Sequence, residues 1–114
     1  MQQIFIEFWS IKDEWRALAP DARAAYAKRL MPAMQEAADE GLEILAWGYN
    51  EPGIDRRLSY DVFAVYRLPD ERMLAKLQQM IAHSGWYTYF DQVNAGGAVR
   101  SPEAILDDHV ALQR

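Results

Sequence analysis

Cysteine is absent from this 114-residue sequence, which excludes disulfides, thiolate metal sites and a cysteine nucleophile. Long apolar runs are absent too: none approaches the roughly 20 residues that span a bilayer. The N-terminus lacks the basic start, apolar core and cleavage site of a secretory signal, so a cytoplasmic protein with no membrane partner is expected. Positive charge is scarce. The formal net charge is −5, and the basic residues are scattered apart from Arg56-Arg57, so the footprint that a nucleic-acid backbone requires is missing. There are two histidines and no H-x-x-x-H or D-x-D cluster to support a catalytic metal. Neither repeats nor low-complexity linkers occur. What remains, 51% hydrophobic and 25% charged residues, is an ordinary globular composition. It is expected to form one domain over 1–114 that buries about two-thirds of its unfolded surface.

Gln3 to Ser10 alternates, with Ile4, Ile6 and Phe8 on one side and Phe5, Glu7 and Trp9 on the other, as a strand does. Asp13 could cap a short turn carrying Trp15 and Leu18. Pro20 and Asp21 open a helix running towards Glu40, with Gly41 as its stop. Its stripe is Tyr26, Leu30, Ala33, Met34 and Ala37, and Pro32 inside it should kink it or break its hydrogen-bond ladder. Leu42 to Tyr49 reads as a second strand, Asn50 to Arg57 as a turn, and Leu58 to Arg67 as a third, antiparallel strand. Leu68-Pro69-Asp70 opens a second helix with the stripe Met73, Leu74, Leu77, Met80 and Ile81, ended by Ser84-Gly85. Trp86 to Gln92 reads as the fourth strand and Gly96-Gly97 as a flexible exit. Ser101-Pro102-Glu103 starts a tail helix carrying Ile105, Leu106, His109 and Val110.

The order β-α-β-β-α-β plus a short helix gives the ferredoxin-like α+β arrangement, a four-stranded antiparallel sheet with both main helices on one face. The second face should be small and polar if it met water. The candidates for it are instead Phe5, Trp9, Leu45, Trp47, Tyr49, Phe63, Val65, Tyr87 and Tyr89. An exposed apolar patch of this kind marks an interface or a ligand site, and pairing with a second copy through that face is expected. A C-terminal helix folded back over the sheet is the alternative.

The same order, with the segment W-Y-T-Y-F-D-Q-V-N-A-G-G and L-A-W-G-Y-N before it, resembles the dimeric α+β barrel superfamily. That superfamily includes antibiotic-biosynthesis monooxygenases, EthD-like proteins and stress-responsive barrel proteins, and the two segments look closer to an uncharacterised bacterial family within it. The resemblance covers residues 1 to about 100. It implies two sheets packed across a two-fold axis and a small-molecule pocket beside each sheet. No activity follows, since the superfamily hosts several unrelated ones.

Among titratable groups, His83 stands where the second helix ends, and a histidine there could act as a general base near neutral pH. It could equally satisfy the last helix carbonyls. Haem-handling members of the superfamily use a histidine as iron ligand, a further role that the resemblance implies for His83. His109 on the tail helix reads as a surface residue. Glu7, Asp61, Arg67 and Asp91 could share the aromatic face, where a carboxylate in an apolar pocket has a raised pKa and can move protons. Alternatively, Arg67 pairs across strands with Asp61 or Glu7. Trp9, Trp47, Tyr49, Trp86, Tyr87 and Tyr89 could line a pocket for a flat organic molecule, or form core and interface. Asn94 could present an amide to the ligand or form a turn.

The leading expectation is a small homodimer holding an apolar or aromatic small molecule without transforming it, with no cofactor. A cofactor-independent monooxygenase- or cyclase-like enzyme with His83 as base is the alternative, and a haem-binding barrel the third.

Overall fold

A computed structural model describes residues 1–113; Arg114, the last residue of the expected domain, lies outside the described residues. The elements in chain order are β1 (Gln3–Ile11), α1 (Asp13–Arg16), α2 (Pro20–Asp39), β2 (Glu43–Tyr49), β3 (Val62–Leu68), α3 (Glu71–His83), α4 (Trp86–Tyr89), β4 (Phe90–Ala98) and α5 (Pro102–Val110). The four strands form one antiparallel sheet in the order β2-β3-β1-β4. Each main helix links two strands that are not neighbours: α2 leads from β1 to β2 and α3 from β3 to β4. This is the ferredoxin-like α+β fold.

Local signals explain most element boundaries. Asp70 caps α3 by accepting the Met73 amide at 2.9 Å, and Ser101 caps α5 by accepting that of Ala104 at 3.1 Å, with Pro102 following; each satisfies a donor the helix itself cannot. Gly41 leaves α2 at φ 108°, a conformation that only glycine adopts without strain. Pro32 lies inside α2 without ending it, and the helix continues to Asp39.

Four expectations are corrected. The first concerns β1. Gln3, Phe5, Glu7 and Trp9 are its buried residues, and Phe5 and Trp9 join Ala64, Tyr66, Leu68 and Phe90 in the core beneath the helices. Ile4, Ile6 and Phe8 take the opposite face, so the two faces of β1 are exchanged relative to the alternation argument. Both sets are apolar enough to be core, and the polar residues among them, Gln3 and Glu7, are both buried. The second concerns β2. A bulge between Ile44 and Ala46 shifts its register, so that Ile44 opposes Tyr66 and Trp47 opposes Ala64. Strict alternation would separate Ile44 from Trp47; the extra residue places both on the helix side.

The third correction is β3, which begins at Val62 and not Leu58. The chain before it is held by side chains: the Asn50 amide donates to the carbonyls of Leu58 (2.9 Å) and Tyr60 (2.8 Å), and Arg57 donates to those of Asn50, Glu51 and Tyr60. The fourth is β4. Trp86 to Tyr89 form a helical turn, after Gly85 at φ 83°, and the strand is Phe90–Ala98 with Gly96 and Gly97 inside it. The turn brings Trp86, Tyr89 and Phe90, spaced three and four apart, onto one side, where Trp86 stacks on Phe90 at 4.0 Å and Tyr89 meets Trp15 and Tyr26 at 5.5 and 5.0 Å. A straight strand would have turned alternate aromatic rings outward.

The face away from the helices carries Ile4, Ile6 and Phe8, with Val65 opposite Ile6 and Phe63 and Val93 opposite Phe8. No helix among the described residues covers it. The tail helix α5 does not fold back: its residues are exposed almost throughout, and the radius of gyration, 16.7 Å, exceeds the roughly 13 Å of a compact chain this long.

Candidate functional site

Helix α2 is held near its two ends. Near its start Tyr26 is buried, its ring 5.9 Å from that of Trp15 and its hydroxyl donating to the Ser84 carbonyl at 3.1 Å. Near its end Ala37 is buried beside Leu42. Between these anchors Leu30, Ala33 and Met34 leave a gap above the sheet. The result is an open-mouthed cavity of about 130 Å³, closed on the other sides by Leu77, Met80 and Ile81 of α3, Trp86, Ile44 and Trp47 of β2, Tyr66 of β3 and Glu7 of β1. Its wall is apolar apart from a few groups at the floor.

Those groups form a connected network. Gln92 Nε2 donates to Glu7 Oε2 at 2.7 Å and to Asn94 Oδ1 at 2.8 Å, and the Trp86 indole N–H donates to Gln92 Oε1 at 2.7 Å. The Tyr66 hydroxyl stands beside Glu7, where it favours the ionised carboxylate, and the Trp47 indole stands beside Tyr66. Every buried side-chain polar atom among the described residues has a partner. Glu7 is only 4% exposed, and burial pushes its carboxyl above the ordinary 4.5, against the opposing effect of the hydrogen bonds from Tyr66 and Gln92. Burial likewise raises the Tyr66 phenol, helped by the Glu7 charge beside it.

A pH dependence of stability follows. Because the folded pKa of Glu7 is raised, its contribution is fully present below the ordinary value of 4.5 and is lost as pH rises through the folded value. Glu7→Gln has no such dependence, so the melting temperature of the variant relative to the wild type is expected to improve as pH is raised from about 4 towards 8. Thermal melts across that range check this; parallel curves would mean that Glu7 ionises in the fold as readily as in the unfolded chain.

Trp9 stands behind the site and not in it. Its ring backs both Trp47, at 5.1 Å, and Trp86, at 5.5 Å, in edge-to-face geometry. Of the other residues that the sequence singled out, Trp47 and Trp86 line the cavity, and Asn94 sits beside it through Gln92. Tyr49 is 78% exposed at the end of β2. Tyr87 is exposed, and Tyr89 packs in the cluster around Trp15. Arg67 lies on the uncovered face and pairs with Glu43 at 3.3 Å, not with Asp61 or Glu7. His83 is exposed at the end of α3, and His109 on α5; neither touches the cavity. Gln92 and Tyr66 were not recognised from sequence. The signal was present in Glu7 itself, the one carboxylate of a mostly apolar strand, which needs donors on the adjoining strands. No group of three or more metal-ligating side chains occurs among the described residues, and no helix is long and apolar enough to cross a membrane.

Fold and cavity together define a ferredoxin-like α+β protein with an open pocket of small-molecule size beside its sheet. The chain belongs to a family of unknown function, DUF6616, whose model matches residues 2–112. No curated protein matches it. Among solved structures, a double variant of chlorite dismutase from Candidatus Nitrospira defluvii superposes with a TM-score of 0.67 at 8% identity, over 96% of this chain and 47% of that one. This chain thus spans about half the length of that relative. A dimeric ferredoxin-like protein of unknown function from Thermobifida fusca has a TM-score of 0.47 at 17% identity, covering 87% and 92% of the two chains. SnoaB, a cofactor-independent oxygenase from Streptomyces nogalater, has a TM-score of 0.47 at 10% identity, over 88% and 94%. At such identities the likeness concerns the fold.

Proposed function

We propose that the protein is a homodimeric binding protein that holds one compact apolar or aromatic molecule in the cavity under α2. The cavity itself carries this reading. Cavities of roughly 150 Å³ lined by Leu, Ile and Phe take up benzene, so the space here is of single-ring size. Rigid indole walls and a polar floor provide what small-molecule sites combine, shape plus a few oriented hydrogen bonds. The reading is non-catalytic because the floor presents one carboxylate and no nucleophile beside it. For an enzyme alternative, Glu7 is the proton acceptor in place, whereas His83 points to no part of the cavity. Haem does not fit the residues present, since neither histidine reaches the wall.

A second copy is proposed to cover the sheet face of Ile6, Phe8, Phe63, Val65 and Val93. An apolar sheet face left in water is a liability that association removes. The exposed α5, whose nine residues fall below the length at which isolated helices hold in water, adds apolar surface to the same assembly through Ile105, Leu106 and Val110.

Native mass spectrometry of the purified protein tests both halves. A dimer is expected, and titration with 2-phenylethanol should add one ligand per chain. Ala33→Trp, which places an indole in the gap beneath α2, is expected to weaken that binding by about tenfold or more, the factor that 1.4 kcal/mol represents. Uptake indifferent to Ala33→Trp would refute the cavity as the site, and a monomer at micromolar concentration would refute the covered face.

A further inference from the structure

We propose that the preferred ligand of the cavity is a protonated organic amine of single-ring size, with Glu7 as its counter-ion; this rests on the cavity being the binding site. Glu7 is buried, and each ion pair among the described residues involves other groups. Its carboxylate therefore has no ion-pair partner among the described residues. No element packed against it brings a cation: β3 offers Tyr66, β2 Trp47, and β4 Gln92 and Asn94, while α2 and α3 present only apolar side chains to the cavity.

The hydrogen bonds define which form of Glu7 the site is built around. Indole N–H is a donor only, so Trp86 must meet the oxygen of the Gln92 amide. This turns the Gln92 NH₂ group towards Glu7, and the Tyr66 hydroxyl beside the same carboxyl group carries a further proton to offer. Its neighbours thus present donors to Glu7, an arrangement suited to an acceptor-only carboxylate. An ionised carboxylate offers about four acceptor positions; Gln92 takes one, and Glu7 lines the cavity. A ligand N–H⁺ would complete the set with a charge-assisted bond. The rings of Trp47, Trp86 and Tyr66 around it supply the π faces that attract organic cations.

Isothermal titration with the shape-matched pair 2-phenylethylamine and 2-phenylethanol, at pH about 8 where the amine is protonated, separates the possibilities. The amine is expected to bind the wild type about tenfold more tightly than the alcohol. Glu7→Gln should abolish that preference while leaving the alcohol affinity in place. Wild-type affinity for the amine should also rise with pH as Glu7 ionises, a readout that stands if the variant does not fold. Equal or tighter binding of the alcohol, blocked by Ala33→Trp, would overturn the amine proposal and keep the cavity; a preference that survives Glu7→Gln would overturn Glu7 as counter-ion. Binding of neither probe would overturn both.

Discussion

Gly96→Ala is expected to lower the stability of the protein by about 3 kcal/mol or more, the upper end of what overpacking costs. Gly96 lies near the end of β4, opposite Phe5 of the central strand. A Cβ there would stand 2.4 Å from the Ile4 carbonyl oxygen and 3.2 Å from the Phe5 Cα. Both are backbone atoms, so no rotamer change relieves the contact, and the two strands must separate. At about 4 °C per kcal/mol for a chain of this size, the melting temperature should fall by roughly 12 °C. Gly53→Ala is the control, since nothing lies within 4 Å of its Cβ position. A melting temperature for Gly96→Ala equal to that of the control would show that β4 does not run against β1 here.

Trp9→Ala should be comparably damaging, by about 3–5 kcal/mol, the range for removing a buried aromatic side chain. Trp9 is 4% exposed and touches Trp47 and Trp86, the two indoles that wall the cavity. The loss therefore has a second consequence beyond the void it leaves. Trp86 orients Gln92, and Gln92 holds Glu7, so loosening Trp86 releases the polar floor. Urea denaturation should show the stability loss, and Trp9→Phe should recover part of it. In buffer without denaturant, Trp9→Ala should also bind 2-phenylethanol more weakly, although Trp9 does not line the cavity. Unimpaired binding would mean that Trp47 and Trp86 hold their places without support from behind.

The aromatic residues were legible as a group but not in their arrangement. Trp9, Trp47 and Trp86 were each singled out by residue type, yet their grouping depends on a bulge in β2 and a helical turn before β4. Neither device leaves a period in the sequence. The Leu42–Tyr49 segment alternates well enough as a regular strand, and only its pairing with β3 reveals the extra residue. The segment Trp86–Gln92 has strand-forming composition, since Trp, Tyr, Thr and Phe favour sheets. Tertiary packing overrode that preference because one helical turn buries more of its aromatic surface than an extended chain would. Gly96-Gly97 reads as a loop for the same reason that it works as a strand: without side chains, it permits a close approach of backbone that composition alone cannot distinguish from flexibility.

What the sequence by itself determined is the order of the main strands and helices, the starts of α3 and α5 and the number of layers, although Asp13, read as a cap, lies inside α1. Period two and period 3.6, Asp70, Ser101, Pro102 and Gly41 act over a few residues, and the order βαββαβ then admits few topologies. Which face of β1 is core lay beyond it. Ile4, Ile6 and Phe8 are as hydrophobic as Phe5 and Trp9, so burial energy barely separates the two choices, and the polar Glu7 weighs for the wrong one until its partners are known. Tertiary structure decided it by bringing Tyr66 and Gln92, from two other strands, within hydrogen-bonding reach of Glu7. A buried carboxylate is tolerated only where donors meet it, and those donors lie 59 and 85 residues along the chain.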